Sequence, residues 1–139
     1  MKDKDLLGKM KVDFLRDLPS EIDDLKKDLA MLRDKEKVVA ERIKRRAHSI
    51  KSCASFFPDL EKMRDISYKM ETLFLMIEND RLEPTHEILR LTEDTGDIII
   101  RLGKGEDIDL TNMEALFNEY LNSTRIERMD TDKKIRENL

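Results

Sequence analysis

Apolar residues recur along this chain three and four positions apart, the spacing of a helix with one buried face. Ile22, Leu25, Leu29 and Leu32 form the first such stripe, within a helical pattern from about Lys4 to Arg33. Pro19 interrupts this pattern, which predicts either a kinked helix or a short helix followed by a longer one from about Pro19. A second helix is predicted from about Glu36 to Phe56, facing inward through Val39, Ile43, Ala47, Ile50 and Ala54. Phe57-Pro58-Asp59 reads as a turn, because Pro58 disfavours helical geometry at Phe57 and Asp59 can cap the next helix. That third helix is predicted from about Leu60 to Asn79, with Leu60, Met63, Ile66, Met70, Leu73 and Ile77 inside. After a break at residues 79–84, Pro84 opens a fourth, to about Leu102, facing in through Ile88, Leu91, Thr95, Ile98 and Leu102 and ended by Gly103 and Gly105. A shorter fifth runs from Leu110 or Thr111 to about Asn122, with Met113, Leu116, Phe117 and Tyr120 as its apolar face.

Four amphipathic helices with short connections pack most simply as an up-down-up-down bundle. The expectation is therefore an all-α fold: a four-helix bundle over residues 1–122, flanked or capped by the short fifth helix. Residues 123–139 are charged and read as a tail or linker, either a frayed helix or disordered.

Composition agrees with one helical domain. Of 139 residues, 42% are charged and 39% hydrophobic, while Gly (4), Pro (3) and aromatic residues (5%) are too scarce for a typical all-β core. The net charge of -4 argues against broad nucleic-acid binding. The lone Cys53 cannot form an internal disulfide, which suits a reducing cytoplasm. The polar start at Lys2-Asp3-Lys4-Asp5 does not resemble a secretory signal, and the longest apolar run is five residues, so no membrane span is expected. The glycines Gly8, Gly96, Gly103 and Gly105 are scattered and form no phosphate-cradling loop, so nothing encodes an ATP site.

Candidate chemistry concentrates in Arg46-Ala47-His48-Ser49-Ile50-Lys51-Ser52-Cys53-Ala54-Ser55. With Ala47, Ile50 and Ala54 directed inward, His48 points sideways or outward. Lys51, Ser52 and Ser55 follow it at i+3, i+4 and i+7 on the same face. The exposed imidazole would thus stand beside an ammonium group and small side chains over which a bulky partner could approach. If helices two and three form a hairpin about Asp59-Leu60, His48 and Glu71 each lie roughly 17 Å from the turn, and so at one height. A carboxylate there can accept from His48 Nδ1–H, fixing the tautomer, leaving the Nε2 lone pair free and raising its basicity. Such an imidazole is a competent nucleophile toward phosphorus. Between residues 41 and 51 five cations (Arg42, Lys44, Arg45, Arg46, Lys51) face one anion (Glu41), a patch expected to attract phosphate or acidic surfaces.

Ala47-His48-Ser49-Ile50-Lys51, followed by small residues, resembles the signature of histidine-containing phosphotransfer domains, most closely the N-terminal phosphotransfer domain of chemotaxis-type histidine kinases. Met70-Glu71 resembles the Met-Glu step those domains carry on the next helix, and the likeness extends over about Val12 to Leu121. It implies phosphorylation of His48 on Nε2, with Glu71 orienting the ring and Lys51 supporting the phosphoryl group. It implies a histidine-kinase ATP-binding domain or a phosphorylated receiver as donor, and the aspartate of a response-regulator receiver domain as acceptor, docking over Arg45, Ser52 and Ser55. Mg²⁺ would come from the partner's acidic pocket, so no cofactor or metal is expected on this chain; family members of this kind are often monomeric. The chain departs from the pattern in three places. Ser52 and Cys53 stand where glycines usually follow the lysine, Tyr68 stands where a histidine commonly precedes the Met-Glu step by two positions, and Pro58 replaces a glycine at the hairpin turn.

Blander readings remain open from the residues alone. The basic second helix could dock a partner non-catalytically, with His48 incidental. It could also bind anionic lipid or nucleic acid, which would show as a steep loss of binding with salt. Individually, Arg42, Lys44, Arg45 and Arg46 suit a solvated face, Cys53 a small filler, His86 an exposed first-turn residue, and the eight methionines core gaps.

Overall fold

The computed structural model describes residues 2–32 and 37–122, with side chains from Asp5 onward. It is all-helical. α1 spans Lys2–Met31, α2 Lys37–Ala54, α3 Glu61–Glu78 and α4 His86–Gly103; α5 covers 111–122. α2 packs most closely on α3, α1 touches both α2 and α4, and α3 touches α4. That closed ring of neighbours, with short α2–α3 and α3–α4 connections, is the expected up-down-up-down bundle. The expected tail, 123–139, lies outside the described residues.

Every helix supplies one apolar stripe to a shared core. Ile22 and Leu25 of α1, Val39 and Ile43 of α2, Met63, Ile66, Met70 and Phe74 of α3, and Ile88 and Ile99 of α4 are sealed from solvent. Each such side chain contributes about 2 kcal/mol relative to remaining in water. Thr92 and Thr95, also buried, donate their hydroxyls to the carbonyls of Ile88 and Leu91 one turn back, so neither polar group is left unpaired. Gly96 lets α1 approach α4: a Cβ there would sit 3.0 Å from Ile22 Cγ2.

Several local expectations are narrowed or corrected. At Pro19 the alternative of two separate helices falls away, because α1 is one continuous helix there. Proline costs it one hydrogen bond, but Pro19 faces solvent while Leu18 and Ile22 on either side anchor the helix in the core. Asp59 does not cap α3. It lies within a short 3₁₀ turn, Pro58–Leu60, whose N-cap Phe57 makes no side-chain capping bond, and its carboxylate pairs with Lys11 of α1. α4 begins one residue after Thr85, whose side chain accepts from the Ile88 amide. On α4 the core position belongs to Ile99, not Ile98, which is only half-buried. At 3.6 residues per turn, residue 99 falls about 20° from residue 88 around the helix and residue 98 about 80° away. On α5, Phe117 is the buried anchor and Leu116 is exposed. Cys53 fills no core gap; it is exposed. Of the methionines, Met63 and Met70 are core, whereas Met10 and Met31 face solvent.

Candidate functional site

α2 and α3 meet along a seam where α2 presents small residues. Ala40, Ala47 and Ala54, seven positions apart, are all buried, so side chains on the flank of α2 can reach α3 directly. His48, one position beyond Ala47, emerges on that flank with 58% of its side chain exposed. Glu71, one position beyond the buried Met70, emerges from α3 at the same height, with 21% exposed. His48 Nδ1 accordingly lies 3.0 Å from Glu71 Oε1, the juxtaposition expected from their equal distance to the turn. A carboxylate can only accept, so Nδ1 carries the proton and donates, and the Nε2 lone pair faces outward. Ser52 Oγ is 3.5 Å from Nε2, at the outer limit of a hydrogen bond, too weak a contact to tie up the lone pair.

Lys51 completes the group. Its Nζ lies 2.8 Å from Glu71 Oε2, an ion pair off the line of a hydrogen bond. The two oxygens of one carboxylate therefore hold the imidazole and the ammonium side by side. Burial pushes the Glu71 carboxyl up, but Lys51 and His48 together outweigh it and hold the carboxyl below its ordinary range. It is therefore a full anion at neutral pH, as an oriented Nδ1–H requires.

The remaining candidates differ in what they offer. Ser52 is a small, half-buried neighbour of the ring. Ser55 is exposed, but its hydroxyl is turned back to the Lys51 carbonyl at 2.7 Å, so it offers small size more than a free donor. Arg45 is three-quarters exposed and pairs with Glu41 one turn back. The basic patch expected on α2 is largely neutralised within the fold. Arg42 pairs with Asp28, Arg46 with Asp28 and Glu21, and Lys44 with Glu78. These cations tie α2 to α1 and α3; the charge count along α2 cannot reveal this, because their acids come from other helices.

Two features of the seam go beyond the expected pairing of His48 with Glu71. One is the Lys51–Glu71 pair, which the register that aligns His48 with Glu71 would also have suggested. The other is Tyr68, which sits 5.2 Å, centroid to Nζ, from Lys51. His86, the other histidine, is exposed at the start of α4, remote from the seam in the chain. Among the described residues no cluster of three His, Cys, Asp or Glu side chains is placed to hold a metal ion, and no helix is long and apolar enough to cross a membrane.

A helical bundle that displays an oriented imidazole on its flank is the architecture of a phosphoryl carrier. A family model, the Hpt domain, matches residues 9–119, and the chain belongs to that family. It is accordingly a histidine-containing phosphotransfer module of the phosphorelay type. No curated protein and no solved structure matches it.

Proposed function

We propose that His48 carries the phosphoryl group on Nε2, and that the acceptor is the aspartate of a response-regulator receiver domain. The observation that carries this reading is an imidazole 58% exposed whose Nδ1 is held 3.0 Å from a carboxylate oxygen. With Nδ1–H donating to Glu71, the outward lone pair on Nε2 is the nucleophile. With a histidine-kinase ATP-binding domain as donor, Nε2 forms a bond to the γ-phosphorus while the bond to the ADP oxygen breaks. In the onward step a carboxylate oxygen of the receiver attacks phosphorus in line. The N–P bond then breaks and its electron pair returns to Nε2. Glu71 stabilises the positive charge on the ring in the phosphorylated form, and Lys51 offsets the charge of the phosphoryl oxygens. The partners bring the nucleotide and the divalent cation. Ser52 and Ser55 leave the approach to the ring open, and Arg45 borders it. We place the reaction in the cytoplasm, where kinase cores and receivers meet and a free Cys53 stays reduced.

The alternative, a basic docking helix with an incidental histidine, has little free charge to work with, since Arg42, Lys44 and Arg46 are already paired with acids of other helices.

The test is incubation with ATP and a histidine-kinase core, followed by addition of receiver domains, with the modified residue located by mass spectrometry. The expected product is base-stable, acid-labile label at His48 that chases onto a receiver. His48→Gln should take up none. Label retained in that variant, or at a residue other than His48, would overturn the assignment.

A further inference from the structure

Lys51 has a second neighbour that phosphoryl transfer through His48 leaves unused. Its Nζ lies 2.8 Å from Glu71 Oε2 and 5.2 Å from the centroid of the Tyr68 ring, over whose face it stands. Tyr68 and Glu71 are three positions apart and share one edge of α3. Tyr68 remains 57% exposed, so its ring is not there to fill the core. It borders an open groove of about 500 Å³, lined also by Lys51, Ser55, Arg64, Asp65, Lys69 and Glu114. The groove offers Lys51 room to swing away from the imidazole.

Lys51 must do two incompatible things. With His48 unmodified, it pairs with Glu71. Once a phosphoryl group sits on Nε2, its oxygens and Glu71 compete for the same ammonium. A lysine has four rotatable side-chain bonds and, released from one anion, can settle in open solvent. An aromatic face on its outer side removes part of that freedom without binding the ammonium so tightly that it cannot turn. A cation over an aromatic ring at an exposed site gains a population advantage of about two- to fivefold.

We propose that Tyr68 is a positioning residue for phosphoryl transfer: its ring face keeps the Lys51 ammonium beside His48. The proposal rests on His48 being the phosphorylated residue. It assigns the effect to the ring, not to the hydroxyl, and routes it wholly through Lys51.

A small-molecule donor tests this without any partner protein. With phosphoramidate, the Nε2 lone pair bonds to phosphorus as the donor's P–N bond breaks, and the nitrogen leaves as ammonia. The rate of phosphohistidine formation is read by mass spectrometry on the full chain for the wild type, Tyr68→Ala, Tyr68→Phe, Lys51→Ala and Lys51→Ala/Tyr68→Ala. Tyr68→Ala should slow labelling about two- to fivefold, Tyr68→Phe should restore it, and Tyr68→Ala should add nothing in the Lys51→Ala background. The Lys51 side-chain protons should lose their ring-current shift in Tyr68→Ala and keep it in Tyr68→Phe. Circular dichroism checks that each variant is folded, and this exposed position should leave the bundle intact. No label at His48 in the wild type would defeat the carrier reading and the proposal with it. Label at His48 with Tyr68→Ala unimpaired, or impaired equally with and without Lys51, would defeat the proposal alone.

Discussion

At the scale of single residues, the proposed chemistry rests on one carboxylate serving two partners, the His48 ring N–H and the Lys51 ammonium. Glu71 is held below its ordinary range despite partial burial, so folding stabilises its ionised form. A group lowered in this way contributes stability that is fully present above its unfolded value, about 4.3. That contribution is lost as pH falls through the folded value. Glu71→Gln removes the charge and leaves Lys51 without its anion. Urea unfolding should therefore find the wild type more stable than Glu71→Gln by on the order of 1 kcal/mol at pH 7, with the gap closing as pH falls toward 3. A gap that stays constant with pH would mean that the carboxylate charge does not support this seam. The essential geometry here was legible in advance, because His48 and Glu71 count equally far from the Asp59-Leu60 turn. The place of Tyr68 beside Lys51 was not. A ring and an ammonium on different helices leave no periodic mark, and the residue stands out only as a departure from the pattern the chain resembles.

At the scale of helices, α1 is fastened to α2 by an acid in an unusual place. Asp28 is only 6% exposed and receives both Arg42 and Arg46. Removing one member of a buried ionic group leaves its partners desolvated and unpaired, which costs more than the intact group contributes. Asp28→Ala should lower the unfolding free energy by about 2–3 kcal/mol, below the full figure for a sealed pair because Arg42 keeps 44% of its side chain in solvent. The control is Asp97→Ala, which breaks an exposed pair with Lys26 between α4 and α1 and should cost under about 1 kcal/mol. Equal losses in the two variants would contradict the distinction drawn from burial. Helix number and the core stripes of α2 and α3 could be read directly from the chain, since periodicity reports the face a helix buries. The partners of α2's basic residues could not. Arg42, Lys44 and Arg46 look like a free cationic surface until α1 and α3 are in place, and then their charge is paired within the fold. The caps were equally hidden: Asp59 had the chemistry of an N-cap, but the 3₁₀ turn at Pro58–Leu60 placed its carboxylate against Lys11 instead.

At the scale of the whole molecule, α5 separates folding from chemistry. The four-helix ring closes without it, yet α5 is fastened over the outside of the bundle. Phe117 is fully buried, Lys69 donates to Asn118 at 2.8 Å, and the Thr95 hydroxyl approaches Met113 Sδ at 3.6 Å. None of these contacts touches His48, Glu71 or the Lys51–Glu71 pair, so stability and phosphorylation should respond differently to losing the anchor. Phe117→Ala deletes the largest side chain that α5 buries and should cost about 3–4 kcal/mol if α5 unfolds together with the ring. Thermal and urea unfolding monitored by circular dichroism should show one transition at lower stability, and phosphoramidate labelling of His48 in the folded population should proceed at nearly the wild-type rate. Two transitions, a small early one and then one at the wild-type midpoint, would make α5 an independent appendage whose anchor lends the bundle nothing. A large drop in labelling with stability intact would instead mean that α5 reaches the seam through Glu114 and the groove beside Lys51, and that chemistry and support are not separable in this fold.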